Sequence, residues 1–121
     1  HHGGDKGMLA KLSTIDRFHL SRLERFLTFL QSTDEAGRPM LDQTVVVFGS
    51  GMNSGEGGDH SPRNLPLLVA GGAGLGFRHG QHLAHDPKNH PPLANVLLTV
   101  VRRAGAEVAG FQDATGELGG V

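Results

Sequence analysis

Apolar residues recur at Met8, Leu12, Ile15, Leu23, Phe26 and Leu30, with Phe18, Leu27 and Phe29 broadening the stripe. Steps of three and four residues predict an amphipathic helix. Arg17, Arg22, Glu24 and Arg25 occupy the positions between and read as its solvated face. Asp5 or Ser13 is the predicted N-cap, because both side chains carry an oxygen that accepts from free helix N–H groups. His19 falls on the apolar side, four residues after Ile15. That position predicts a core histidine with a hydrogen-bond partner; a supporting place behind a site is the rarer alternative. The pattern breaks from Thr33 to Arg38, and Gly37-Arg38-Pro39 signals a loop.

Beyond this point the pattern changes from spaced to contiguous. Thr44 to Phe48 is a β-branched apolar run, which predicts a strand buried on both faces, as in a parallel sheet. A polar loop from Gly49 to Asn64 holds five glycines. Leu65 to Ala70 predicts a second strand, with Pro66 near its start, where a missing N–H is tolerated. In open α/β sheets ligands bind outside the carboxyl ends of strands, so this loop is the predicted site. Gly71 to Gly76 is a turn-rich link, and Phe77 to Leu83 reads as a short strand or hairpin arm. Pro91-Pro92 opens a second helix, capped by Asn89 or His90, with apolar positions Leu93, Val96, Leu97, Val100 and Val101. Arg102-Arg103 suit its C-terminus and Gly105 stops it. The tail from Val108 to Val121 is Gly-rich and predicted to be irregular.

The order helix, strand, strand, helix predicts an α/β layer of a few mostly parallel strands packed with two helices. The strands are too few for a complete doubly wound domain, so residues 1–121 read as a single partial domain. The chain opens His1-His2 without an initiator methionine, as a tag remnant or as a piece of a longer protein; the strand count favours the piece.

Composition narrows the functional classes. Only 37% of the 121 residues are hydrophobic, 19 are Gly, and Trp, Tyr and Cys are absent, so the core is modest and thiolate metal sites are excluded. A formal net charge of −1 gives no electrostatic case for nucleic acid or an anionic membrane. The apolar runs are too short to span a bilayer, and no signal peptide is visible. Eight His are the outlier; imidazole is the commonest metal ligand.

Several segments together carry a resemblance. They are His1-His2-Gly3-Gly4-Asp5, Ile15-Asp16-Arg17-Phe18-His19, Phe48-Gly49-Ser50-Gly51-Met52, and His60 followed by Asn64-Leu65-Pro66-Leu67-Leu68-Val69-Ala70-Gly71-Gly72. Gly80-Gln81-His82-Leu83 and Asp113-Ala114-Thr115-Gly116-Glu117-Leu118 complete the set. In this order and spacing the chain resembles the C-terminal part of the domain-of-unknown-function family 1552. That family is similar in turn to sulfatase-like members of the alkaline phosphatase superfamily. The resemblance implies a C-terminal fragment of an alkaline phosphatase-like α/β domain, completed by an N-terminal part of the same domain. It also implies an exported protein, periplasmic or extracellular, and a divalent metal (zinc, calcium or manganese) serving hydrolysis of a small phosphate or sulfate ester. On this analogy His1 or His2 is a metal ligand ahead of the long helix, and His60 is a late ligand after a variable loop. Ser50-Gly51 stands where relatives carry an acidic ligand. The missing acid favours a non-catalytic relative used for binding or surface assembly.

The residues themselves add detail. His60 follows Asp59, which would orient its ring, so the pair reads as a ligand or general base with a supporting carboxylate, or as a solvated loop pair. His1 and His2 are adjacent and point to opposite sides of an extended chain, so at most one ligates a given metal. Glycines flank Ser50 directly, which marks a tight turn rather than a nucleophile elbow. Asn53 and Glu56 offer oxygen atoms, and His82 after Gly80-Gln81 is a candidate binding residue through the resemblance. Gly71 to Gly76 lacks the Lys-Ser/Thr and the following helix of a phosphate loop.

Overall fold

A computed structural model describes residues 3–54, 60–86 and 88–121. The first element is α1 (Lys6–Ser32), a helix of 27 residues. Asp5 is its cap, with the Met8 N–H donating to Oδ1 at 2.8 Å. At the far end the Thr33 N–H and hydroxyl both donate to the Phe29 carbonyl, at 3.0 and 2.8 Å. The segment predicted as a loop is a hairpin of β1 (Asp34–Glu35) and β2 (Arg38–Pro39). Ala36 and Gly37 turn it with φ of 54° and 83°, the double positive φ that a tight two-residue hairpin requires. A 3-10 turn (Met40–Gln43) leads into β3 (Val45–Gly49).

The sheet corrects the expected architecture. β3 pairs with β6 (Leu67–Gly71) antiparallel, in the register Val45↔Gly71 to Gly49↔Leu67. Between them lies only a second small antiparallel pair, β4 (Asn53–Ser54) with β5 (His60–Ser61). All three ladders of the described residues are two-stranded and antiparallel. The mostly parallel α/β sheet of an alkaline phosphatase-like domain is therefore not the fold seen here. The physical reason lies in the connection. Parallel neighbours need a crossover, usually a helix, whereas Asn53–Ser54 and His60–Ser61 pair with each other within the connection and β6 returns beside the strand the chain left. β3 is also not covered on both faces: Val47 and Gly49 are exposed and the other three residues half-buried.

Two glycines make the reversal after β6 possible. Gly71 has φ 76°, and a Cβ there would run into the Thr44 carbonyl oxygen and lie 2.9 Å from that of Leu41. Gly72 has φ 70°, and its Cβ would lie 2.6 Å from Val45 Cγ2 and 2.9 Å from Phe77 Cδ2. Only residues without a side chain let backbone and Phe77 close on this point. Phe77 is buried core, not part of a strand.

α2 (Leu93–Arg103) starts directly after Pro92, with no side-chain cap from Asn89 or His90. Its fully buried residues are Ala94, Asn95, Leu98 and Thr99, a face shifted from the predicted Val96, Leu97, Val100 and Val101, which are half-buried. The irregular C-terminal segment covers that face and binds it through side chains. Asn95 donates through Nδ2 to Thr115 Oγ1 at 3.1 Å and accepts the Thr115 N–H at 2.9 Å. Thr99 Oγ1 donates to the Asn95 carbonyl and accepts from the Leu118 N–H, both at 2.7 Å. A buried polar face is tolerated because these partners replace water.

α1 is the opposite case. Leu30 is its one buried residue, and every residue from Gly3 to Leu20 is exposed. His19 is exposed with them, not a core histidine. Only the last turns, through Leu23, Leu27 and Leu30, become covered where α1 meets the Met40–Gln43 turn and β2.

Candidate functional site

The β3–β6 connection has a definite local structure. Ser50 donates its hydroxyl to the Met52 carbonyl at 2.7 Å and receives the Met52 N–H at 3.3 Å. That closed ring of bonds spends the hydroxyl on the turn itself. Asn53 donates through Nδ2 to the Asn64 carbonyl at 3.1 Å, tying the two ends of the loop together. Asn64 takes φ 50°, a left-handed turn that asparagine adopts more readily than most residues. The β4–β5 register sets Asn53 opposite Ser61 and Ser54 opposite His60. Asn53 and His60 thus belong to one hairpin rising from the end of β3.

The other predicted site residues are not gathered there. His82 follows the far end of β6, about 14 Å along that strand from the hairpin at roughly 3.4 Å per residue. Its segment is fixed at that end: His79 Nε2 lies 2.7 Å from the Gly71 carbonyl oxygen, and Gln81 Nε2 donates to the Gly120 carbonyl. His1, His2, Glu56 and Asp59 lie outside the described residues. Among the described residues, no three His, Asp or Glu side chains are grouped so as to hold a metal ion. His60 is thus the one member of the predicted ligand set with a described place, and the described donors alone do not fit a metal centre. Nor is any described helix long and apolar enough to cross a membrane.

Sequence reasoning passed over a second feature. Between α1 and β3 runs an open groove of about 340 Å³, lined by His19, Arg22, Leu23, Phe26, Val46, Val47 and Phe48. Its walls are mostly apolar, and among the described residues its ionisable side chains are one imidazole and one guanidinium. Arg22 is held over the Phe18 ring, 4.5 Å from its centroid. The signal was present in the sequence as His19 and Arg22, three residues apart and on one side of a helix. Nothing in the sequence showed that β3 lies beside them.

Comparison with known proteins identifies no relative: no family model, no curated protein and no solved structure matches this chain. The resemblance to the domain-of-unknown-function family 1552 rests on its quoted residues alone.

Proposed function

We propose that this chain is a non-catalytic binding module whose working surface is the apolar face of α1 and the adjoining groove. One observation carries the reading. Met8, Leu9, Leu12, Ile15 and Phe18 stand on a capped, regular helix and remain exposed, Ile15 at 48% and Phe18 at 52%. Contiguous apolar surface of this kind marks an interaction site in folded proteins. The helix is also short of reasons to form by itself, since most helical stability comes from packing an apolar face. The test is turnover of p-nitrophenyl phosphate and p-nitrophenyl sulfate, with and without zinc, calcium or manganese. The reading expects no turnover that depends on His60. Hydrolysis removed by His60→Ala would overturn it.

A second reading starts from His60, which the β4–β5 pairing holds on the connection at the end of β3; the register sets Asn53 on the opposite face of that ladder. In that reading the protein is an exported, metal-dependent hydrolase of a phosphate or sulfate ester. His60 and one of His1 or His2 would hold the metal and Asp59 would orient His60. A bound divalent ion would polarise the ester oxygen. Elemental mass spectrometry on protein purified without chelators decides it: about one divalent ion per chain, lost on His60→Ala, is the expected result. A metal-free protein after incubation with all three ions would remove this reading.

A further inference from the structure

The β3 strand has one paired edge and one open edge, and the hydrogen-bond parity says which atoms the open edge presents. Ser50 donates its N–H to the Pro66 carbonyl at 3.3 Å, one step beyond the Gly49↔Leu67 pair. In an antiparallel ladder, successive residues point alternately toward and away from the partner strand. Val46 and Phe48 therefore face β6, as Ser50 does. Val45, Val47 and Gly49 turn their N–H and C=O groups the other way. Among the described residues no strand lies on that side, since this sheet consists of β3 and β6. No described backbone or side chain bonds the outward groups of Val45, Val47 and Gly49, nor those of Leu67 and Val69 on the other edge, where His79 reaches only the Gly71 carbonyl.

The apolar groove lies along this open edge. β3 supplies Val46, Val47 and Phe48, α1 supplies His19, Arg22, Leu23 and Phe26, and β6 supplies nothing. Strand edges in folded proteins are protected by a charged residue, a proline, a bulge, a short length or a covering helix. Val45-Val46-Val47-Phe48-Gly49 carries no charge, proline or bulge, and α1 stands across the groove from it. An edge with outward donors and acceptors and an apolar wall beside it suits the addition of another strand.

We propose that this groove binds an extended segment of a partner protein by strand addition to β3. The segment carries apolar residues at alternate positions and one acidic residue that meets Arg22. The backbone of the partner completes the bonds offered by Val45, Val47 and Gly49. Its apolar side chains fill the space between β3 and α1. The acid is required because the described lining holds Arg22 and His19 and no carboxylate. This proposal rests on the binding-module reading and names its partner class.

The experiment is selection of a displayed random octapeptide library on the immobilised 121-residue chain. Enriched peptides alternate apolar residues with an acid near one end. Val47→Pro lowers their affinity at least tenfold. Its N–H points away from β6, so no β3–β6 hydrogen bond is lost, and circular dichroism checks that the variant folds. Arg22→Glu, on an exposed helix surface, needs no such check and turns the selected acid into Lys or Arg. Absence of enrichment overturns the proposal, as does enrichment indifferent to both variants. If peptides are retained but lost only on Ile15→Ser, the strand site is overturned while the binding-module reading stands. A dimer in sedimentation that Val47→Pro dissociates also overturns it, by giving the edge to a second copy of the chain.

Discussion

The two helices of this protein obey opposite rules. α1 is 27 residues long, capped by Asp5, and buries a single residue. α2 is 11 residues long, has no side-chain cap, and buries four. Length and capping therefore do not report where the protein is held together. At 1.5 Å per residue, α1 extends about 40 Å, and its first half is exposed throughout. α2 is instead enclosed by the chain that follows it. Arg102 donates to the Val108 and Ala109 carbonyls at 2.9–3.1 Å and pairs with Glu117 at 3.1 Å. Arg103 donates to the Gly76 and Val121 carbonyls at 2.9 and 3.0 Å and lies over the Phe77 ring. The difference separates a region organised for internal cohesion from one that presents a surface.

That contrast can be broken most directly at Leu98, which is 2% exposed. Leu98→Ala should cost roughly 2–5 kcal/mol in urea unfolding, because it leaves a cavity under the tail. A loss below about 1 kcal/mol would mean that α2 is no more cohesive than α1. Thr99→Val sharpens the account of the tail. It keeps the shape of the side chain and removes the acceptor of the Leu118 N–H, so the expected loss is about 1–3 kcal/mol. Faster amide exchange at Leu118 should accompany it. Unchanged exchange there would assign the latch to Arg102 and Arg103. The smallest effect belongs to α1: Leu12→Ala at an exposed position should change stability by less than about 0.5 kcal/mol. A substantial loss would show that the apolar face of α1 is packed in solution, which would remove the observation behind the binding reading.

Much of the local structure was legible. The spacing of Met8, Leu12, Ile15 and Phe26 located α1, one of its two candidate caps is the one used, and Gly105 ends α2 with φ 93°. The two strand segments were found within one or two residues of Val45–Gly49 and Leu67–Gly71. Their direction was misjudged, because an apolar β-branched run has the same composition in either orientation. What decides orientation is the connection, whose described residues form a small antiparallel pair and no crossover helix. The site was legible only in part. Ser50, Asn53 and His60 do sit on one connection, whereas His82 is tied to the other end of β6. The groove beside β3 joins residues more than twenty positions apart in sequence, a proximity that no local pattern encodes.

By itself, then, the sequence determined the elements whose cause is local: the long helix from its period, its start to one of two candidate caps, the turns marked by glycine, and the short helix between Pro92 and Gly105. Each follows from the conformational preferences of neighbouring residues. The tertiary structure alone decided what each apolar face meets. It turned β6 antiparallel to β3, left α1 uncovered, and buried Asn95 and Thr99 under the tail. The reason is that burial is a property of two surfaces and a pattern describes only one. A polar residue enters the interior when a distant backbone needs its hydrogen bonds, and an apolar face stays outside when no segment arrives to cover it.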